Sequence, residues 1–186
     1  MKRFEGQVAL VTGGGRGVGR GICLALAEAG AKVMVNDLGA TNDGTGADIS
    51  PAHQVVEEIE AMGGEAIVNG DNVADWEGAQ RMINAAIETF GDLDILVNNA
   101  GILRDKSLLK LEEADWDRVL QVNLKSMYCT TKPVFAWMKE HGGGVIVNAG
   151  TVVLAKASSA SVHAVGRDFS DGLTINSGGV LDNKGS

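Results

Sequence analysis

Cysteine, proline and aromatic residues are scarce in this chain of 186 residues, which has two cysteines, two prolines and 4% aromatic side chains. Cys23 and Cys129 lie far apart in apolar stretches. They have neither the spacing of metal ligands nor the density of a secreted disulfide scaffold. We therefore predict no metal site and interpret both cysteines as buried thiols in a reducing compartment.

Long apolar runs and clusters of positive charge are also missing. No stretch reaches the length of a membrane span, and the N-terminus lacks the apolar core of a signal peptide. The 24 acidic and 16 basic residues give a net charge of −8, a field that repels nucleic acid and anionic lipid. These absences argue against membrane and nucleic-acid partners, and we expect a folded cytoplasmic domain that acts on a small molecule.

What the chain does contain is glycine, at 26 residues, and a strict alternation of strand-like and helix-like segments. Apolar, partly β-branched runs predict strands at residues 8–11, 32–37, 66–69, 93–97 and 145–147. Apolar periodicity predicts helices at residues 17–30, 52–62 and 76–90, and one or two helices over 112–140, broken near Pro133. The pattern fades after residue 150, so we predict a domain at residues 1–150 and a divergent tail at 151–186 without a clear strand or a well-capped helix.

This alternation predicts a parallel sheet with helices on both faces and a ligand at the carboxyl ends of its strands. Between the first strand and helix, glycines at residues 12–19 let the backbone approach a pyrophosphate. Asp37 ends the second strand, where a carboxylate accepts hydrogen bonds from an adenosine ribose and repels a 2′-phosphate, which favours NAD over NADP. Arg16 is the contrary indication, and a glycine turn without a ligand is the alternative. The candidate cofactor residues here are Gly13, Gly15, Arg16, Gly17, Val18, Gly19 and Asp37.

Two motifs carry a family resemblance. Residues 12–19 resemble the Thr-Gly-x-x-x-Gly-x-Gly fingerprint of the short-chain dehydrogenase/reductase family, and residues 98–101, Asn-Asn-Ala-Gly, resemble the motif after its fourth strand. Further segments resemble the branch containing the 3-hydroxyacyl-CoA dehydrogenase domain of peroxisomal multifunctional enzymes, and the match covers about residues 4–148. It implies a doubly wound α/β sheet of the Rossmann type, here incomplete at its C-terminal edge. It also implies NAD-dependent oxidation of a secondary alcohol, with 3-hydroxyacyl-CoA thioesters as the substrate class.

The resemblance also implies individual roles. Asp71 and Asn72 would lie near the adenine, and Asn123 would be the helix asparagine of the catalytic tetrad. Thr151 is the nearest match to the family's catalytic serine. The residues implied to line the nicotinamide ribose are Asn98, Asn99, Ala100 and Gly101. In the alternative interpretation, Asp71 only caps a helix and Asn123 only satisfies backbone groups.

The family's Tyr-x-x-x-Lys pair has no counterpart at its expected place, residues 162–168, which contain neither tyrosine nor lysine. A literal match, Tyr128 to Lys132, precedes the fifth strand and stands about 140° around the helix from Asn123. We therefore interpret Tyr128 as a core tyrosine. His163 is the one titratable ring near the expected site, and we interpret it as a surface histidine.

Three hypotheses follow for function. The first is an impaired oxidoreductase whose end is truncated, frame-shifted or alternatively spliced, without the helix through which the family usually forms its homo-oligomer. The second is a non-catalytic NAD-binding module. The third is an active enzyme with a rearranged site that uses Thr151, Asn123 and His163. A CoA substrate would meet only scattered basic residues at the mouth of the site, namely Arg104, Lys106 and Lys110.

Overall fold

The chain alternates strands and helices through the part that the structure, a computed structural model, describes: residues 2–148 and the backbone of 174–175 and 181–182. The strands are β1 Val8–Thr12, β2 Lys32–Asn36, β3 Ala66–Asn69, β4 Ile95–Asn98 and β5 Val145–Asn148, followed by the short β6 Thr174–Ile175 and β7 Leu181–Asp182. The helices are α1 Gly17–Glu28, α2 Ser50–Ala61, α3 Trp76–Phe90, α4 Glu113–Leu120 and α5 Ser126–Glu140, with a 3₁₀ turn at Leu108–Lys110 and a π turn at Gln121–Lys125. In the described ranges, no helix has the length and apolar character needed to cross a membrane.

The first five strands form one parallel sheet in the order β3-β2-β1-β4-β5. This order confirms the predicted doubly wound α/β fold. Because the chain moves outward in opposite directions on either side of β1, the strand order reverses between β1 and β4. Ligands of such sheets bind at the carboxyl ends of the strands beside this switch point. After residue 150 the sequence predicts no clear strand, whereas β6 and β7 form a short antiparallel pair.

Helices cover both faces of the sheet because alternate residues of each strand point to opposite sides. Ala9 and Val11 of β1 pack in one apolar cluster with residues of α1 and α2. Val8 and Leu10 pack in a second cluster, with residues of α3 and α5. Strands buried on both faces give the near-continuous apolar runs seen in the sequence. Cys23 belongs to the first cluster and Cys129 is also buried, so the prediction of two buried thiols is confirmed.

Local sequence sets where the third helix begins and ends. Asp75 accepts a hydrogen bond from the Gly78 backbone N–H at 2.7 Å, which satisfies one free donor of the first turn of α3. Gly91 ends the helix with φ of 88°, a left-handed conformation that glycine adopts at little cost. Asp75, and not Asp71, is therefore the cap of this helix.

The long helical stretch before β5 is interrupted, but not at the predicted place. Helix α5 continues through Pro133, and the irregularity is the π turn Gln121–Lys125. Val134 and Met138 are buried in the same cluster as Met82 of α3. We attribute the continuity of α5 to this packing, which offsets the hydrogen bond that proline cannot donate. Asn123 lies within this π turn and is buried.

One threonine side chain joins the ends of the two strands at the switch point. The Thr12 hydroxyl donates to the Val97 carbonyl at 3.3 Å and accepts from the backbone N–H groups of Asn99 and Ala100, both at 3.0 Å. The Asn99 amide donates back to the carbonyls of Thr12 and Gly13, both at 3.0 Å. The loops after β1 and β4 are therefore held side by side.

Replacing this hydroxyl by a methyl group tests the linkage. In Thr12→Val the N–H groups of Asn99 and Ala100 lose their acceptor, and we expect the free energy of unfolding to fall by about 2 kcal/mol. Urea denaturation measures the change. Thr89→Val, at an exposed position of α3, is the matched control and should change stability by less than about 0.5 kcal/mol. Equal effects of the two substitutions would contradict the proposed linkage.

Candidate functional site

A cavity of about 320 Å³ opens at the carboxyl ends of β1, β2 and β4, within the usual size range of small-molecule sites. Most of the predicted cofactor residues line it: Gly13, Arg16, Gly17, Val18, Gly19, Asp37, Asp71, Asn72, Asn99, Ala100 and Gly101. Gly15 and Asn98 are not on its wall. The fold thus brings together residues from the loops after four successive strands.

The glycine loop forms one wall of the cavity, and close packing leaves no room for a side chain at Gly13 or Gly19. A Cβ on Gly13 would lie 2.9 Å from the Ala100 Cα, and a Cβ on Gly19 would collide with the Gly13 carbonyl oxygen. Gly13 and Gly17 also have positive φ values of 65° and 50°. Helix α1 begins here with no side-chain cap and no acidic residue in its first turn. Its N-terminal N–H groups can therefore receive an anion such as a pyrophosphate.

The Cys23 thiol lies beneath the glycine loop and is not a nucleophile. Its Sγ is 3.8 Å from the Gly14 carbonyl oxygen. Burial raises the pKa of this thiol to about 12, so the thiolate form needed for attack on an electrophile is rare near neutral pH. Cys23 therefore contributes to packing.

Asp37 connects two loops at the end of β2. Its Oδ2 accepts a hydrogen bond from the Gly15 N–H at 2.9 Å, and its Oδ1 accepts one from the Gly39 N–H at 2.8 Å. The Arg16 guanidinium donates to the Ala40 carbonyl at 3.0 Å. Gly15, although outside the cavity wall, thus fixes the carboxylate that lines it. The arrangement places a negative charge, with lone pairs left to accept from a ligand, on the wall of the cavity.

Asparagine and aspartate side chains form the neighbouring wall. The Asn36 amide donates to Asn69 Oδ1 at 2.7 Å and to the Asp71 carbonyl at 2.9 Å. Asp71 also accepts from the Arg81 guanidinium and forms an ion pair with it. These contacts hold the start of the Asp71–Asn72 segment against the end of β2, where Asn36 itself lines the cavity.

The Asn-Asn-Ala-Gly segment divides between the cavity and the interior. Asn99, Ala100 and Gly101 line the cavity, whereas Asn98 is only 3% exposed. The Asn98 amide donates to Thr131 Oγ1 and Asn148 Oδ1, and its carbonyl oxygen accepts from Thr130 Oγ1. Asn98 therefore joins β4 to α5 and β5, and its place beside the nicotinamide ribose stays a prediction.

Asn123 lies behind the cavity wall. Its Oδ1 accepts from the Ile102 N–H at 2.8 Å and its Nδ2 donates to the Ile102 carbonyl at 3.0 Å. The side chain thus bonds to these backbone groups and positions the segment that follows Gly101, and its role in a catalytic tetrad stays a prediction. Thr151 and His163, the other residues considered for chemistry, lie outside the described residues.

The literal Tyr-x-x-x-Lys match lies on the surface. Tyr128 is 56% exposed, so its interpretation as a core tyrosine is wrong. Its hydroxyl accepts from Lys132 Nζ at 3.0 Å, and both side chains contact the Trp76 ring. The polar groups of Tyr128 and Lys132 are suited to a helix face exposed to water. The apolar periodicity of the sequence did not show which face of this helix is exposed and which faces the core. Neither residue lines the cavity.

The segment 39–48 is a part of the site in which the sequence predicted no cofactor residue. Its neck is closed by a hydrogen bond from the Asp48 N–H to the Gly39 carbonyl at 2.9 Å. Asp43 accepts hydrogen bonds from Thr41 and Thr45 at the tip, which lower the pKa of this carboxyl to about 2. Ten residues of the cavity wall, four of them in this segment, are not among the cofactor residues predicted from the sequence: Asn36, Leu38, Ala40, Thr41, Asn42, Gly44, Val73, Ile102, Arg118 and Val122.

Together these features fit a dinucleotide. The cavity has a glycine wall that admits close approach, a helix N-terminus without a side-chain cap, and a carboxylate one strand away. These are the groups that receive a pyrophosphate and an adenosine ribose in sheets of this kind. Two of the three basic residues expected to receive a CoA substrate, Arg104 and Lys106, pair with Asp115 instead.

Comparison with known proteins agrees with this geometry. A family model described as short chain dehydrogenase matches residues 7–164. The chain is 50% identical over 145 residues to the peroxisomal multifunctional enzyme type 2 of Drosophila melanogaster, and 44% identical over 145 residues to that of Mus musculus. These matches cover 78% of this chain in both cases, but only 24% and 19% of the relatives.

Solved structures agree as well. This chain superposes on a short chain dehydrogenase from Mycobacterium avium with a TM-score of 0.71 at 44% identity. The match covers 80% of this chain and 54% of that chain. A 7α-hydroxysteroid dehydrogenase, in complex with NADH and 7-oxo glycochenodeoxycholic acid, superposes with a TM-score of 0.72 at 32% identity, and covers 80% of this chain and 55% of that one. The chain thus spans about half of these structures, and it belongs to the short-chain dehydrogenase family of oxidoreductases.

Proposed function

We propose that this chain binds NAD in the cavity at the carboxyl edge of its sheet. The observation that carries the proposal is that the glycine loop, the N-terminus of α1 and Asp37 line one cavity. The pyrophosphate would lie at the first turn of α1 and the adenosine ribose at Asp37, with Asp71 and Asn72 beside the adenine. Gly101 and its neighbours would line the nicotinamide side. When bound, NAD supplies the hydride acceptor for oxidation of an alcohol.

Asp37 is the residue proposed to favour NAD over NADP. Its carboxylate would accept hydrogen bonds from the ribose hydroxyls and repel a 2′-phosphate. Arg16, which by itself would favour NADP, donates to the Ala40 carbonyl, so its guanidinium is directed toward the loop that follows β2. Support for NAD also comes from the 7α-hydroxysteroid dehydrogenase, whose structure contains NADH.

The proposed reaction class is hydride transfer between NAD and a secondary alcohol or ketone. By resemblance to the multifunctional enzymes, 3-hydroxyacyl-CoA thioesters are the leading substrate class. We propose that turnover by this chain is impaired, because a hydroxyl substrate needs a positioned proton acceptor. The exposed pair Tyr128 and Lys132 does not face the cavity, and residues 162–168 contain no tyrosine or lysine. The same observation favours the second candidate, an NAD-binding module without catalysis.

The relatives' names bear on cellular location. The sequence predicts the cytoplasm, whereas the named relatives are peroxisomal. We propose that the chain functions in one of these two compartments, and fluorescence microscopy of the tagged chain beside a peroxisomal marker distinguishes them.

Substitution of Asp37 tests the cofactor assignment. In Asp37→Asn we expect affinity for NAD to fall about tenfold, because the amide can accept from only one of the two backbone N–H groups and bears no charge. Affinity for NADP should fall less or rise, since the repulsion is gone. Isothermal titration with each nucleotide measures both.

The control for this experiment is Asp94→Asn. Asp94 also accepts from a backbone N–H, that of Val8 at 2.8 Å, but at the amino ends of β1 and β4. The Asp94→Asn substitution removes the same charge at the opposite edge of the sheet, so it should leave the affinities for NAD and NADP unchanged. Parallel losses of NAD and NADP binding in Asp37→Asn would contradict the assignment of the ribose to Asp37.

A second experiment separates binding from turnover. NAD at about 100 times its dissociation constant should raise the free energy of unfolding by about 2.7 kcal/mol. A panel of secondary alcohols that includes 3-hydroxyacyl-CoA should leave the nicotinamide absorbance almost unchanged. Rapid reduction of NAD would show instead that a rearranged site is active. If His163→Ala then abolished this reduction, His163 would be identified as the base that accepts the substrate's proton. If NAD left the thermal unfolding temperature of the chain unchanged, that result would contradict NAD binding itself.

A further inference from the structure

The tip of the loop 39–48 is fastened across the cavity to the segment that follows β4. The Leu103 N–H donates to the Asn42 carbonyl at 2.8 Å, and Arg104 Nε donates to the Asp43 carbonyl at 2.9 Å. Both sides of this junction border the cavity, since Asn42 and Ile102 line it. The loop follows Asp37, on the β2 side, and these hydrogen bonds connect it to the β4 side of the cavity.

A nearly buried carboxylate holds the arginine that fastens the loop. Arg104 Nη1 donates to Asp115 Oδ1 at 2.7 Å, while its Nε is turned to the Asp43 carbonyl. The Asp115 side chain is 6% exposed and also accepts from Lys106 Nζ at 2.6 Å. Because a guanidinium is a rigid planar fork, fixing one of its nitrogens on Asp115 directs another at the loop. Lys106 contacts the carboxylate and has no such bond to the loop.

We propose that Arg104, oriented by Asp115, is a positioning residue that clasps the loop 39–48 over the bound nucleotide and slows its release. The inference rests on the proposed binding of NAD. Arg104, Asp115 and Lys106 do not line the cavity, so they do not contact a ligand there, and the clasp acts through the loop. The hydrogen bonds of Asp115 to Lys106 and Arg104 lower the pKa of this carboxyl, so Asp115 is ionised at neutral pH.

Charge variants distinguish a clasp from a general electrostatic attraction. Arg104→Ala removes a positive charge and Asp115→Asn removes a negative one, so an electrostatic effect on anionic NADH would have opposite signs in the two. A clasp predicts the same sign, because both substitutions release the loop. Lys106→Ala is the matched control, since it removes a positive charge from the same cluster and leaves the bond to the loop.

The rate of NADH release, followed by fluorescence during displacement by excess NAD, is the first readout. We expect release about three- to tenfold faster in Arg104→Ala and Asp115→Asn, and within about twofold of the unaltered chain in Lys106→Ala. Arg104→Lys should give an intermediate rate, because an ammonium cannot join Asp115 and the Asp43 carbonyl in the same fixed geometry. Opposite effects of Arg104→Ala and Asp115→Asn, or an equal effect of Lys106→Ala, would overturn the clasp.

Amide hydrogen exchange of the full chain without nucleotide is the second readout. The N–H groups of Leu103 and Gly44 should exchange faster in Arg104→Ala and Asp115→Asn but not in Lys106→Ala, while the Leu10 N–H of β1 reports on global stability. If the unaltered chain fails to bind NADH, the proposed function fails and this exchange pattern still decides whether the clasp exists. Unchanged exchange at Leu103 and Gly44 in both variants would refute it.

Discussion

The site depends on the hydrogen bonds that hold the loops after β1 and β4 together at the switch point of the sheet. The Thr12 hydroxyl and the Asn99 amide each bond to the other loop's backbone, so the two strand ends act as one unit. This close contact leaves no room for a side chain at Gly13 or Gly19. The glycine loop and the first turn of α1 therefore line the cavity together, at the edge of the sheet where the nucleotide is proposed to bind.

Asp37 extends this unit to the third wall of the cavity. Its two carboxylate oxygens bind the N–H groups of Gly15 and Gly39, so the same charge that is proposed to recognise a ribose also fixes the loops on either side of it. Beyond Gly39, the loop meets Leu103 and Arg104. The proposed recognition and enclosure of the nucleotide would thus be linked through one loop, because it is anchored to Asp37 at its base and to Arg104 at its tip.

Sequence reasoning predicts the parts of this structure that depend on local patterns. The strands and most helices follow from apolar periodicity, and the glycine loop and Asp37 follow from spacing along β1, α1 and β2. It does not predict features that depend on distant contacts. The continuity of α5 at Pro133 relies on packing against α3, and the exposure of Tyr128 depends on which helix face meets the sheet. Similarly, the burial of Asn98 depends on partners in α5 and β5, and the contacts of the loop 39–48 join residues far apart in sequence.

Mapping where NAD binds tests the central claim, that this edge of the sheet holds a dinucleotide, most directly. In a titration of isotope-labelled protein followed by backbone amide chemical shifts, the account predicts the largest changes at Gly13, Gly17, Val18 and Gly39. Val8, at the opposite edge of the sheet, should be unaffected. Saturable shifts confined to the opposite edge, or no shifts at millimolar NAD, would contradict the account.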